Sequence, residues 1–166
     1  MIIYDAYKLF RLRSNCMMSS YYVPENSRYN IYYQLDTVIP KIEGTHGIFC
    51  FDNMNTINSY LEYCNIKLED KFKLILKDTK TLIGVLAKIK TDKFRYIYSA
   101  SAGLDQKFLD EYYTTIDKKW VKKSISMHEG VIVTNKILID SSENPNLKRH
   151  IDICNLELEE LSMNCF

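Results

Sequence analysis

Residues 71–101, "KFKLILKDTKTLIGVLAKIKTDKFRYIYSAS", contain three apolar runs that are separated by only a few polar residues. Thr79 and Lys80 join the first run to the second, and the third run begins two residues after the second ends. Connections this short favour antiparallel pairing, because a parallel crossover needs a much longer segment. The stretch therefore predicts three consecutive strands of an antiparallel sheet.

The segment before these strands, residues 44–64, reads "GTHGIFCFDNMNTINSYLEYC" and predicts a strand, a turn and a helix. "GIFCF" is a short run of strand-forming residues. Asp52 or Asn53 can cap the helix, because a short side-chain oxygen accepts a hydrogen bond from a free backbone N–H of the first turn. The residues that recur at helical spacing and predict the buried face are Met54, Ile57, Leu61 and Cys64.

Two stretches nearer the N-terminus also predict strands. "KLFRL" alternates apolar and basic residues, which is typical of a strand with one buried face. Residues 19–36, "SSYYVPENSRYNIYYQLD", place a Pro-Glu-Asn-Ser turn signal between two tyrosine-rich runs. This segment predicts a hairpin or a long loop that carries exposed aromatic side chains.

The second half of the chain predicts two helices around one more strand or hairpin. The strand or hairpin is "GVIVTNKILID", residues 130–140, with Asn135 and Lys136 in the turn. The helix at residues 103–120 has an apolar stripe of Leu104, Phe108, Tyr112 and Ile116. The helix at residues 146–163 has an apolar stripe of Leu147, Ile151, Cys154, Leu158 and Leu161.

These elements predict one α+β domain that spans residues 1–166. Its sheet is mixed but mostly antiparallel, with about six strands and about three helices.

The charge balance excludes a strong overall attraction to nucleic acid or to an anionic membrane. The chain has 22 basic and 21 acidic residues, a net charge of +1, so such binding needs a local patch. "DKKWVKK", residues 117–123, offers one, because Trp120 can stack a base while the flanking lysines meet phosphates. The same residues are equally natural at a helix C-terminus. Nucleic-acid binding is therefore the second alternative and the less favoured one.

Cysteine usage and hydropathy predict a soluble, intracellular protein without membrane association. The five cysteines form no CxxC pair, so they are interpreted as small apolar residues or free thiols. The first residues lack the order of a signal peptide, and no apolar run has the length of a membrane helix.

No metal, no cofactor and no nucleophilic thiol is expected. His46 and Cys50 are four residues apart on a predicted strand, about 13 Å, so one ion cannot bind both. The five glycines form neither GxGxxG nor GxxxxGK[ST], which excludes a glycine-rich phosphate loop. Nothing close in sequence marks any cysteine as activated.

One pattern resembles the arginine–serine–glutamate class of ADP-ribosyltransferases. The residues that carry it are Arg11 or Arg13, Ser99 and Ser101 of "SAS", and Glu157 and Glu159 of "ELE". The resemblance implies that the arginine holds the phosphates of the cofactor and that Glu159 stabilises the ribose cation. The sequence departs from that class because "ELE" falls within a predicted helix. ADP-ribosyl transfer is the first alternative, with Arg11, Ser99, Ser101 and Glu159 as its catalytic residues.

A second resemblance covers roughly the first 75 residues. "YKLFRLRSN", a tyrosine-rich stretch and then "HGIFCFDNMNTINSYLEY" are similar to the opening of small domains in giant, Mimivirus-like DNA viruses of amoebae. Some of those proteins continue into ankyrin repeats, but no repeat period occurs here. The resemblance implies a viral protein of the host cytoplasm or virion, and it implies no catalytic residues.

The sequence favours a binding module over an enzyme, because its polar groups all have ordinary structural roles. Tyrosine provides a large contact area at low entropic cost and is enriched at interfaces. The hypothesis is that residues 19–36 present an aromatic surface to a partner protein, or to a second copy of the chain. The predicted binding residues are Tyr21, Tyr22, Tyr32 and Tyr33.

Overall fold

Strands dominate the computed structural model, which describes residues 4–13, 18–21, 23, 26–45, 47–96 and 131–164. The strands of this part are β1 (Tyr4–Leu12), β2 (Met18–Ser20), β3 (Tyr32–Tyr33), β4 (Val38–Pro40), β5 (Ile48–Phe51), β6 (Ile66–Glu69), β7 (Lys73–Leu76), β8 (Leu82–Thr91), β9 (Phe94–Tyr96), β10 (Val131–Thr134) and β11 (Lys136–Leu138). Its helices are α1 (Met54–Tyr63), a 3₁₀ turn (Ser141–Glu143) and α2 (Pro145–Asn164).

The eleven strands form one sheet, and every strand pair in the described residues is antiparallel. Its main path runs β4-β11-β8-β1-β5-β10-β9. β1 pairs with β8 along most of its length, while its other edge is shared between β5 and β2. β8 likewise shares its outer edge between β7 and β11. Because neighbours change along the long strands, the sheet coils until it is nearly closed.

Side chains alternate along β1 and contribute to two apolar cores. Ala6 and Phe10 belong to the larger core, which includes residues of β5, β8 and β10. Leu9, between them, belongs to the smaller core, where it packs with Ile57 and Leu61 of α1. The cores therefore lie on opposite faces of β1.

Helix α1 forms as its sequence predicts. The side-chain oxygen of Asn53 accepts a hydrogen bond from the Thr56 N–H at 2.8 Å, which caps the first turn. Ile57 and Leu61 are buried, and the flanking Met54 and Cys64 pack against the same core. The predicted helix, its cap and its apolar face are confirmed.

Asn144 fills a gap on the outer edge of β8, between the parts that pair with β7 and with β11. The Lys88 N–H donates to Asn144 Oδ1 at 2.8 Å, and Asn144 Nδ2 donates to the Lys88 carbonyl at 2.8 Å. The same Nδ2 donates to the Asp140 carbonyl at 2.9 Å. The buried amide thus replaces one residue of a neighbouring strand, and it ties the start of α2 to the sheet.

The α+β class and the mostly antiparallel sheet are confirmed, but the predicted numbers of elements are wrong. The described residues contain eleven strands and two α-helices, not about six and about three. The surplus comes from strands of two or three residues, such as β2 and β3, which are too short to show alternation. The predicted helix at residues 103–120 lies outside the described residues.

Candidate functional site on the outward face of α2

The tyrosine segment is largely part of the fold. Tyr33 is only 3% exposed, its ring meets Phe10 edge-on at 5.1 Å, and its hydroxyl is hydrogen-bonded to Ser20 Oγ at 3.2 Å. Its assignment to a binding surface is wrong, because a tyrosine with these contacts offers no area to a partner. Adjacent residues of a strand face opposite sides, and this alternation leaves the neighbouring Tyr32 41% exposed. The Arg13 guanidinium lies over the Tyr32 ring, 5.6 Å from its centroid.

Tyr21 is half-buried and packs against the smaller core. Burial raises the pKa of its hydroxyl. Its carbonyl accepts a hydrogen bond from the Arg11 guanidinium at 3.3 Å, which gives Arg11 a structural role between two strands. Tyr22 lies outside the described residues. Of the four predicted contact tyrosines, Tyr32 is the one that the structure exposes.

A buried lysine, Lys8, is an ionisable group that the sequence did not single out. It is 2% exposed, its Nζ donates to the Phe49 carbonyl at 2.6 Å, and it lies 5.8 Å from the ring centroids of Phe10 and Tyr33. Removal from water lowers its pKa. Burial also raises the pKa of the nearby Cys50 thiol to about 12, so this thiol is protonated at neutral pH.

The cavity lined by Tyr33 and Phe49, two residues that contact Lys8, is too small for a substrate. A cavity of about 10 Å³ is lined by Ser20, Tyr33, Thr45 and Phe49, among others. That volume accommodates one water molecule. The buried amine is therefore a packed interior group.

The surface of α2 carries a continuous stripe, which we call the outward face. Its residues repeat at alternating intervals of three and four and are all exposed: Asn146, Arg149, Ile153, Leu156, Glu160 and Met163. This spacing places them on one side of a helix. Ile153, Leu156 and Met163 are 51%, 60% and 76% exposed. α2 is thus apolar on a second side that the described part of the chain leaves exposed.

The opposite side of α2 is at least half-buried over most of its length, as predicted, and its first half packs against the larger core through Leu147 and Ile151. Leu147 is buried, and Ile151, Cys154 and Leu158 are half-buried. Leu161, the last residue of the predicted stripe, is 62% exposed, so the prediction is wrong at that position.

A groove of about 470 Å³ runs between the first half of α2 and the turn that joins β6 to β7. Asp70 and Lys71 have φ values of 52° and 66°, and this tight turn places Lys71 at the groove. Arg149 and Lys73 add two positive charges, and Lys73 pairs with Asp70 at 3.2 Å. The side chains of Lys71 and Arg149 have no ion pair or hydrogen bond to any described residue. The groove is therefore positively charged.

A second groove, of about 400 Å³, brings together part of the ADP-ribosyltransferase-like pattern. Arg13 and Glu157 line it, next to Cys154. Arg11 and Glu159, the pair expected to act on the cofactor, are not among its lining residues. Ser99 and Ser101 lie outside the described residues.

Cys154 is held in a disulfide, whereas Cys50 and Cys64 are free. The interpretation of every cysteine as an apolar residue or a free thiol is therefore wrong for Cys154.

The described part of the chain contains neither a metal-binding cluster nor a membrane-spanning helix. No group of three or more histidine, cysteine, aspartate or glutamate residues there is arranged to hold a metal ion. No helix in the same ranges has the length and apolar character needed to cross a membrane.

Comparisons with protein families, with curated proteins and with solved structures found no match. The resemblances to giant-virus domains and to ADP-ribosyltransferases therefore stay predictions. Function has to be inferred from the outward face of α2 and from the grooves beside it.

Proposed function

We propose that this chain is a non-enzymatic protein-binding module and that its contact surface is the outward face of α2. The observation that carries the proposal is the exposure of Ile153, Leu156 and Met163 on one side of a helix whose other side is already packed. Exposed apolar residues that are contiguous, rather than scattered, are typical of interaction sites.

The energetics support a contact at this position. Fully burying an isoleucine, leucine or methionine side chain is worth roughly 1.5–3 kcal/mol, and each of these three is already more than half exposed. A partner that covers them therefore gains about 1 kcal/mol or more from each. Arg149 and Glu160 flank the apolar centre of the face, and charged groups at such a rim select the partner and its orientation.

The positively charged groove supports the same proposal. A helix that docks beside α2 can place side chains into the groove between Arg149 and the β6–β7 turn, in the manner of helix-in-groove recognition. Ile153 lines the groove and also belongs to the outward face, so one partner element can contact both features.

Photo-crosslinking tests the proposal. Benzoylphenylalanine is placed at Leu156 and, as the control, at Tyr63, which is 69% exposed on α1. Irradiation is done with the purified protein and in expressing cells. We expect a discrete covalent adduct from position 156, reduced by the second substitution Ile153→Glu, and no such adduct from position 63. No discrete adduct at 156, or the same adducts from both positions, would contradict the proposal.

A further inference from the structure

We infer that the partner of the outward face is the same face of a second copy, with the two α2 helices antiparallel. This inference rests on the proposed function and specifies its partner. A two-fold axis between Cys154 and Asn155 places Ile153 opposite Leu156 of the second copy. The same axis places Arg149 opposite Glu160, and Asn146 opposite Met163, of that copy. All six residues of the outward face then find a counterpart within the same face.

The apolar residues lie at the centre of this arrangement. Ile153 and Leu156 are next to the axis, so the Ile153–Leu156 contact occurs twice and four exposed side chains cover one another. Three- and four-residue spacing is the pattern that lets two helices pack along a shared seam. The seam is short, and its ends are charged or polar, as expected for an interface between folded domains.

The charges select the antiparallel orientation. The first half of the face has Arg149, and the second half has Glu160. A parallel pair would set arginine against arginine and glutamate against glutamate, whereas the antiparallel pair makes two opposite-charge contacts. The side chain of neither residue has an ion pair or a hydrogen bond to any described residue of its own chain.

Charges beyond the face point the same way. The groove beside the first half of α2 contains Lys71 and Lys73, while the second half of α2 carries Glu157 and Glu159. In the antiparallel pair, the acidic half of each copy lies along the basic half of the other. The net charge of the whole chain is +1, so no overall repulsion opposes the pairing.

The expected affinity is modest. α2 has twenty residues and is about 30 Å long, so two such helices cover less area than a standard protein interface. Interfaces of this size are typically transient, and we expect dissociation in the range of roughly 1–100 μM.

Charge reversal with sedimentation equilibrium tests the pairing, over protein concentrations that span this range. Arg149→Glu and Glu160→Arg each create two like-charge contacts. The dissociation constant of each single-variant homodimer should therefore be at least about tenfold higher than that of the wild type. An equimolar mixture of the two variants should form a heterodimer, and the double variant Arg149→Glu/Glu160→Arg should dimerise again. Lys67→Glu, an exposed charge reversal on β6, is the matched control and should leave dimerisation unchanged.

Far-UV circular dichroism verifies that each variant is folded, as expected for exposed positions. A wild type that stays monomeric at the highest concentration overturns the inference, and so does a dimer that Arg149→Glu does not weaken. If the crosslinker at position 156 then captures a different protein, the proposed binding face stands and only self-pairing is refuted. If it captures nothing, both are refuted.

Discussion

Asn144→Ala tests the link between the sheet and α2 most directly. The substitution keeps the backbone and removes only the amide that bonds both polar groups of Lys88 and the carbonyl of Asp140. No strand pairs with β8 at Lys88 on this edge, because β7 reaches only as far as Val85 and β11 begins opposite Lys90. The variant therefore leaves the N–H and the carbonyl of Lys88 without a protein partner.

The expected cost follows from the number of bonds. Each intramolecular hydrogen bond contributes about 1 kcal/mol net, so three give about 3 kcal/mol. Lys88 is only half-buried, and water can satisfy part of what is lost. We therefore expect Asn144→Ala to lower the free energy of unfolding by about 2–3 kcal/mol. Asn144→Asp has nearly the same shape but cannot donate when ionised, so it should cost at least as much.

Urea unfolding followed by circular dichroism measures the change in stability, and hydrogen exchange at the Lys88 amide locates it. Exchange at Lys88 should accelerate in the variant, while the Leu86 amide, bonded to the Phe72 carbonyl at 2.7 Å, should stay protected. Asn155→Ala, exposed on α2, is the control and should cost nothing. The reasoning is refuted if Asn144→Ala costs less than about 1 kcal/mol or leaves Lys88 protected.

Three further predictions concern the cores. Gly84→Ala should cost about 1–3 kcal/mol in thermal or urea unfolding, because the added Cβ would clash with the Phe10 carbonyl; an unchanged stability would contradict this close approach. Lys8→Met should stabilise the protein relative to wild type, because the lowered pKa of Lys8 means that a protonated amine costs free energy in the folded state. This gain in stability should shrink as pH rises towards 10.5, where the amine loses its proton in the unfolded state too. A gain that does not vary with pH would show that Lys8 is not desolvated. In native protein near pH 8, a thiol reagent should label Cys64 and leave Cys50 unmodified until unfolding, because Cys50 is buried and has a pKa of about 12.

Local signals were sufficient for α1 and for the antiparallel pairing of β7 with β8. Asn53 caps the helix through a bond to Thr56, three residues away, and a contact this close in sequence is visible as a pattern. The short loop between β7 and β8 likewise leaves little choice of direction. The equally short loop after β8 does not join a pair, because the described partner of β9 is β10 and not β8. In contrast, β2 and β3 become strands only because β1 and β2 provide edges for them, and no pattern of two or three residues encodes this.

Long-range packing determined the features that the sequence did not reveal. Lys8 reads as the exposed member of an alternating strand, yet it lies on the same face as Ala6 and Phe10 and is buried with them. The alternation therefore predicts the strand correctly but places Lys8 on the exposed face instead of the buried one. Asn144 reads as part of a polar break before a helix, and its role depends on Lys88, which is 56 residues away in the chain.

The spacing of the outward face of α2 is visible in the sequence, but its role as a binding surface cannot be predicted from the sequence alone. The glutamates near the end of α2 indicated a solvated side, because alternating charge usually marks one. Among those charges lie three regularly spaced apolar residues, Ile153, Leu156 and Met163. Such a stripe indicates a binding surface only when the opposite side of the helix is known to be the one that packs on the core. Contacts of Leu147 and Ile151 with the larger core supply that knowledge.

The same anchoring makes α2 a suitable binding element. Asn144, the residue immediately before the helix, is hydrogen-bonded to β8, and Leu147 is buried one turn later. The first half of α2 is therefore held at two successive points. A helix that is rigid before it binds loses less conformational entropy on association than one that must first be ordered. Asn144→Ala should therefore weaken dimerisation as well as folding, although Asn144 lies outside the proposed contact. Dimerisation that stays at the wild-type level, in a variant that is folded and has lost protection at Lys88, would show that the outward face does not depend on this anchor.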